Sequence, residues 1–105
     1  MAIVNSPWDG SAARYPDADS YCAACLVDDN PSGADKTKNL CHLPVKEPNG
    51  DINSNGVHSA AAALAGGRGG VKLPPADKKK AAKALISLYG QMKQDVPPSI
   101  KNMAM

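Results

Sequence analysis

Residues 57–92, VHSAAAALAGGRGGVKLPPADKKKAAKALISLYGQM, decide the fold. Val57, Ala61, Leu64 and Ala65 recur at helical spacing, so 57–65 reads as a helix. Asn53 or Asn55 offers a side-chain oxygen to cap its first N–H groups, and Gly66-Gly67 supplies the positive φ that ends it. Residues 75–92 carry a longer stripe, in which Ala81, Ala82, Leu85, Ile86, Leu88, Tyr89 and Met92 return every three or four positions. Pro75 suits the first helical position, where an N–H has no partner to lose, and Asp77 complements the positive end of the helix dipole. Gly90 weakens the last turn by about 1 kcal/mol, and Pro97-Pro98 close the helical stretch. The alanines allow close approach, so the two helices are expected to pack as an antiparallel pair across the glycine-rich connection.

Working outward, residues 17–27 (DADSYCAACLV) form a third, short helix candidate. Asp17 is its N-cap, and Tyr21, Cys22, Cys25 and Leu26 make one apolar stripe that packs across the pair. Residues 28–39 are polar and broken by Pro31 and Gly33, hence a loop. Residues 40–56 carry two prolines and two Asn-Gly turn signals and promise no regular element. Residues 1–16, punctuated by Pro7, Gly10 and Pro16, read as an extended arm with Trp8 and Tyr15 as its large anchors. The expected architecture is therefore a mostly α fold: a small helical domain at 17–96, an irregular N-terminal arm at 1–16 and a C-terminal tail at 97–105.

Composition sets the limits. The chain has 105 residues, room for one small domain. Alanine supplies seventeen residues, Leu, Ile and Val together only seventeen, and Phe none, so the core is thin and alanine-rich. The formal charge of +2 is too small to complete a disorder signature. No apolar run approaches a membrane span, and no charged segment followed by an apolar stretch suggests a secretory signal. Three cysteines do not make a complete disulfide framework. The charge is split, at −4 over residues 1–60 and +6 over residues 61–105. Either the two halves pair with each other, or a basic face meets an anionic partner.

Four constellations carry candidate chemistry. Cys22-x2-Cys25 with Cys41 and His42 offers four sulfur and nitrogen ligands for zinc, which would stabilise so thin a core. Against it, ligands at adjacent positions 41 and 42 are awkward to aim at one ion, and buried cysteines also serve as small hydrophobes. Asp51-x-Asn53-x-Asn55-Gly56 matches the first half of a calcium loop, but Ala62 stands where the bidentate glutamate belongs, so Asx turns leading into a capped helix explain it better. Gly66-Gly67-Arg68-Gly69-Gly70 has the composition of a phosphate loop but follows a helix instead of a strand, which favours a helix terminus and a tight turn. Lys78, Lys79, Lys80 and Lys83 crowd the start of the long helix against its dipole, which suits an anionic partner such as nucleic acid or simply a solvated face. No nucleophile, base and orienting group converge in the sequence, so no catalytic role is expected.

Several strings resemble one another's setting in a known family: Trp8-Asp9-Gly10-Ser11-Ala12, Leu43-Pro44-Val45-Lys46 with Gly50 and Asn53, the AAAALAGGRGGV stretch at 60–71, and Leu73-Pro74. Together they are similar to a small helical module of tailed-bacteriophage head proteins, also found appended to prohead maturation proteases. The protease portion has no counterpart here, so proteolysis does not carry over. What the resemblance implies is a phage head context; with the exposed-looking anchors of the arm, the expectation is a non-enzymatic virion component, a cement or decoration protein bound to the major capsid protein, located in the capsid and, during assembly, in the host cytoplasm. Its expected contacts are Ile3, Val4, Trp8 and Tyr15 of the arm, with Arg68 of the glycine loop. The alternative is a small zinc- or nucleic-acid-binding regulator using the Lys78–Lys83 face. Neither reading involves a membrane.

Overall fold

The computed structural model describes residues 2–31, 33, 35–66 and 73–105. Along the chain come β1 (Ile3–Val4), a 3-10 turn (Ala12–Arg14), α1 (Ala18–Ala24), β2 (Cys25–Asp28), a second 3-10 turn (Lys38–Leu40), β3 (Cys41–Pro44), β4 (Ile52–Asn53), α2 (Ser54–Leu64), α3 (Pro75–Met92) and α4 (Pro98–Ala104). Half of the chain, 51%, is helical, and the strands make the fold mixed rather than mostly α.

The two central helices follow their sequence signals closely. Asn53 caps α2, its side-chain oxygen accepting from the N–H groups of Asn55 and Gly56, and Gly66 just beyond has φ +103°. Pro75 opens α3 and Asp77 lies in its first turn. Lys93 ends α3 in the left-handed region at φ 57°, its N–H bonding the Gly90 carbonyl. Leu85 and Ala82 of α3 and Val57 of α2 are fully shielded from solvent in the core between the helices; a buried Leu or Val contributes about 1.5–3 kcal/mol.

Elsewhere local preference yields to pairing. The expected helix over 17–27 stops at Ala24: Asp17 caps α1 in a reciprocal box with Ser20, but Cys25–Asp28 leaves the helix to form β2. β2 runs antiparallel to β3, with Cys25 opposite Pro44, Val27 opposite His42 and Asp28 opposite Cys41. The 40–56 stretch is thus not irregular throughout. In β3, Cys41 and Leu43 are buried while His42 and Pro44 between them are half-exposed, the alternation of a strand with one face inward. Leu43 holds φ 64°, an unfavourable position for a bulky side chain that its burial sustains.

Both chain ends also take on structure. β1 pairs in parallel with β4, Ile3 beside Ile52 and Val4 beside Asn53, so this part of the N-terminal segment lies on its own chain. The expected tail contains α4, which packs on α3 and buries Ile100 completely. A second, smaller core of Tyr15, Tyr21, Cys22, Ala24 and Cys41 joins the N-terminal segment to α1 and β3.

Candidate functional site

Three places gather the side chains with chemistry. The first is the seam where the N-terminal segment meets the start of α2. Asn53 is fully buried, and its amide nitrogen donates to Glu47 Oε1 (2.8 Å), Ser6 Oγ (3.2 Å) and the Ser6 carbonyl (3.2 Å). One side chain therefore caps a helix and binds a distant strand. Asn55 adds bonds to the carbonyls of Asn5 and Ser6 at 3.0 and 2.9 Å. Glu47 in turn accepts from the Arg14 guanidinium, whose other nitrogen donates to the Asp9 carbonyl. That pairing with Glu47 holds Arg14 above its usual pKa.

Trp8 lies across α2 at Gly56. A Cβ at that glycine would come within 2.9 Å of the indole, so the helix accepts the ring only because residue 56 has no side chain. The Arg14 guanidinium carbon sits 5.9 Å from the ring centroid, within cation–π range. Trp8, Leu43, Pro44, Ala60 and Ala63 line a shallow depression of about 220 Å³.

The expected anchors fare differently. Ile3 is 45% exposed, Val4 and Trp8 are half-buried against their own chain, and Arg68 lies outside the described residues. Tyr15 is a correction. It is 2% exposed in the smaller core, donates its hydroxyl to the Lys46 carbonyl and packs edge-on against Tyr21 at 5.1 Å, so it is not free to meet a partner. Its aromatic character indicated burial, but spacing did not reveal whose core it enters.

The second place corrects the four-ligand zinc set. Cys22 and Cys41 form a disulfide with Cα atoms 5.4 Å apart. Cys25 is a free thiol, half-buried in β2 and pushed up to about 12 by that burial. His42, next to Cys41 in a strand, faces the opposite side. The four side chains are not brought together. Asp28 and Asn30, which no motif marks, stand at the cystine instead. The Asn30 amide nitrogen lies 3.3 Å from Cys41 Sγ, 3.6 Å from Cys22 Sγ and 2.8 Å from Asp28 Oδ1. Asn30 Oδ1 accepts from the Thr37 N–H at 2.8 Å, which ties Thr37 to the residue beside the sulfurs. Lys36 bonds the Asp28 carboxylate and, with Asn30, draws it down to about 2.

The third place is the start of α3. Lys79, Lys80 and Lys83 are exposed and Lys78 half-exposed, and among the described residues none has a carboxylate within ion-pair distance. The calcium-loop residues serve the seam: Asn53 and Asn55 as described, while Asp51 Oδ1 accepts from the Ala2 N–H at 3.1 Å. A cavity of about 460 Å³ lies between α1 and the 46–51 turn and is lined by Ser20, Ala23, Lys46, Glu47 and Asp51 among others. No helix of the described chain is long and apolar enough to cross a membrane. Comparison with family models, with curated proteins and with solved structures returns no match.

Proposed function

We propose that the chain is a non-enzymatic head component of a tailed bacteriophage, a cement or decoration protein that seats on the major capsid protein in the virion after assembly in the host cytoplasm. The reading rests on the likeness of its Trp-Asp-Gly-Ser-Ala, Leu-Pro-Val-Lys and Gly-Arg-Gly strings to the phage module. The observation that carries it furthest is the seam. Asn53, Glu47 and Arg14 hold the N-terminal segment in place, with Ile3 exposed and Trp8 beside an apolar depression. Docking then uses a preformed face in place of a free arm, and little chain entropy is lost on binding.

Co-sedimentation with empty capsid shells tests this, with duplex DNA as the parallel control. Saturable binding at a fixed ratio per capsid subunit, weakened by Ile3→Glu without loss of fold, is expected. Ile3 suits the test because its side chain is largely outside the core.

The lysines of α3, which have no carboxylate within ion-pair distance among the described residues, favour a second reading, binding to nucleic acid. If Lys78, Lys79, Lys80 and Lys83 each neutralise a phosphate, log affinity falls against log salt with a slope of about −3 to −4. Shells ignored and DNA bound with that slope, reduced by Lys79→Glu with Lys83→Glu, would establish it over the capsid reading.

A further inference from the structure

We propose that reduction of the Cys22–Cys41 disulfide opens a binding site for a zinc-class divalent cation, with Cys22 Sγ, Cys41 Sγ and an Asp28 carboxylate oxygen as its ligands. The three ligating atoms already lie within 4.8 Å of one another. Two thiolates and one carboxylate form a donor set suited to zinc, cobalt or cadmium and poorly suited to magnesium or calcium.

The surroundings point the same way independently of the ligands. Asn30 aims one amide group at both sulfurs and at Asp28 Oδ1, at 3.3, 3.6 and 2.8 Å. Such N–H donors orient metal ligands and stabilise thiolate charge. Lys36 holds Asp28 from the other side and offsets the net negative charge that two thiolates, one carboxylate and one dication leave. The cysteines are 5% and 3% exposed whereas Asp28 is open to solvent, so the sulfurs are shielded and the carboxylate marks the way in. One coordination position remains for solvent.

The chemistry balances in two steps. A reductant delivers two electrons and the S–S bond breaks: a dithiol gives its two protons to the sulfurs and becomes a disulfide, or a phosphine becomes its oxide with the oxygen and both protons taken from one water. The cation then displaces both thiol protons to solvent and binds the thiolates and Asp28. Oxidising surroundings keep the site closed and reducing ones open it. None of this depends on what the protein docks to.

Cobalt titration of the full chain tests the proposal, oxidised and after phosphine reduction. The reduced chain is expected to develop a thiolate-to-cobalt charge-transfer band and tetrahedral visible bands that saturate at one cobalt per chain and vanish on adding zinc. The oxidised chain develops neither. Asp28→Ala weakens cobalt binding at least about tenfold, while Cys25→Ser and His42→Ala titrate as the wild type. No band in the reduced chain, unchanged affinity in Asp28→Ala, or loss of the band in Cys25→Ser overturns the assignment. Should reduction unfold the chain, helical circular dichroism restored by one equivalent of zinc upholds the site, and failure to restore it refutes the site.

Discussion

Asn53 ties three parts of the fold together. Its oxygen caps α2 and its nitrogen reaches Ser6 and Glu47, all in a fully buried position. Asn53→Ala removes the cap and the donor that ties Ser6 and Glu47 to the start of α2, so stability should fall by about 2–3 kcal/mol. Asn53→Asp restores the cap oxygen but loses the donor and sets a carboxylate against Glu47. It should therefore also destabilise, more at neutral than at acid pH, and urea unfolding of both variants at two pH values checks the pair. The sequence announced the first half of this role, because an Asn before an alanine-rich apolar run is a capping signal. The second half depends on Glu47 and on Ser6, the latter forty-seven positions away, and no local pattern reports such a partner. Gly56 is similar: as a helix-interior glycine it looks like a weakness, and only the indole lying on it explains the missing side chain.

Elements built on helical periodicity were legible and those built on pairing were not. The 75–92 helix was predicted with the bounds it has, and α2 begins three residues before its predicted start because Asn53, not Asn55, is the cap. α1 was legible up to Ala24. β2, β3 and β4 are two to four residues long, too short for alternation to rise above chance in sequence. α4 was hidden by the double proline, read as a stop when Pro98 in fact occupies the first position of a new helix. One consequence of the β2–β3 ribbon concerns pH. Asp28, at its end, is held down to about 2 from an ordinary 3.8 by Lys36 and Asn30. A depressed carboxylate adds stability above its unfolded pKa, and that part is lost as pH falls through the folded value. Thermal stability should therefore decline between about pH 4 and pH 2. Asp28→Asn should flatten the Asp28 share of that slope, as a melting series over this range would show. Exposure to solvent keeps the effect small.

At the scale of the whole molecule, the candidate site was half legible. The cysteines and lysines were visible as chemistry-bearing residues, but which cysteines meet is a question of topology: the disulfide spans a sequence separation of 19 and joins α1 to β3. Closing a loop of that size stabilises a fold by about 3 kcal/mol. In a chain of this length, reduction should lower the melting temperature by on the order of 10–20 °C. Scanning calorimetry with and without a phosphine checks this, and Cys25→Ser should melt as the wild type in both states, since its thiol is outside the bond. The seam has a different consequence at this scale. Trp8 is the molecule's single tryptophan, and it sits not in either core but on Gly56, under the Arg14 guanidinium. The protein thus carries its own optical reporter, placed among the contacts that fasten the first residues to the rest. Its emission follows the release of that segment while far-ultraviolet dichroism follows the helices, and any gap between the two curves measures how independently the chain's first strand lets go.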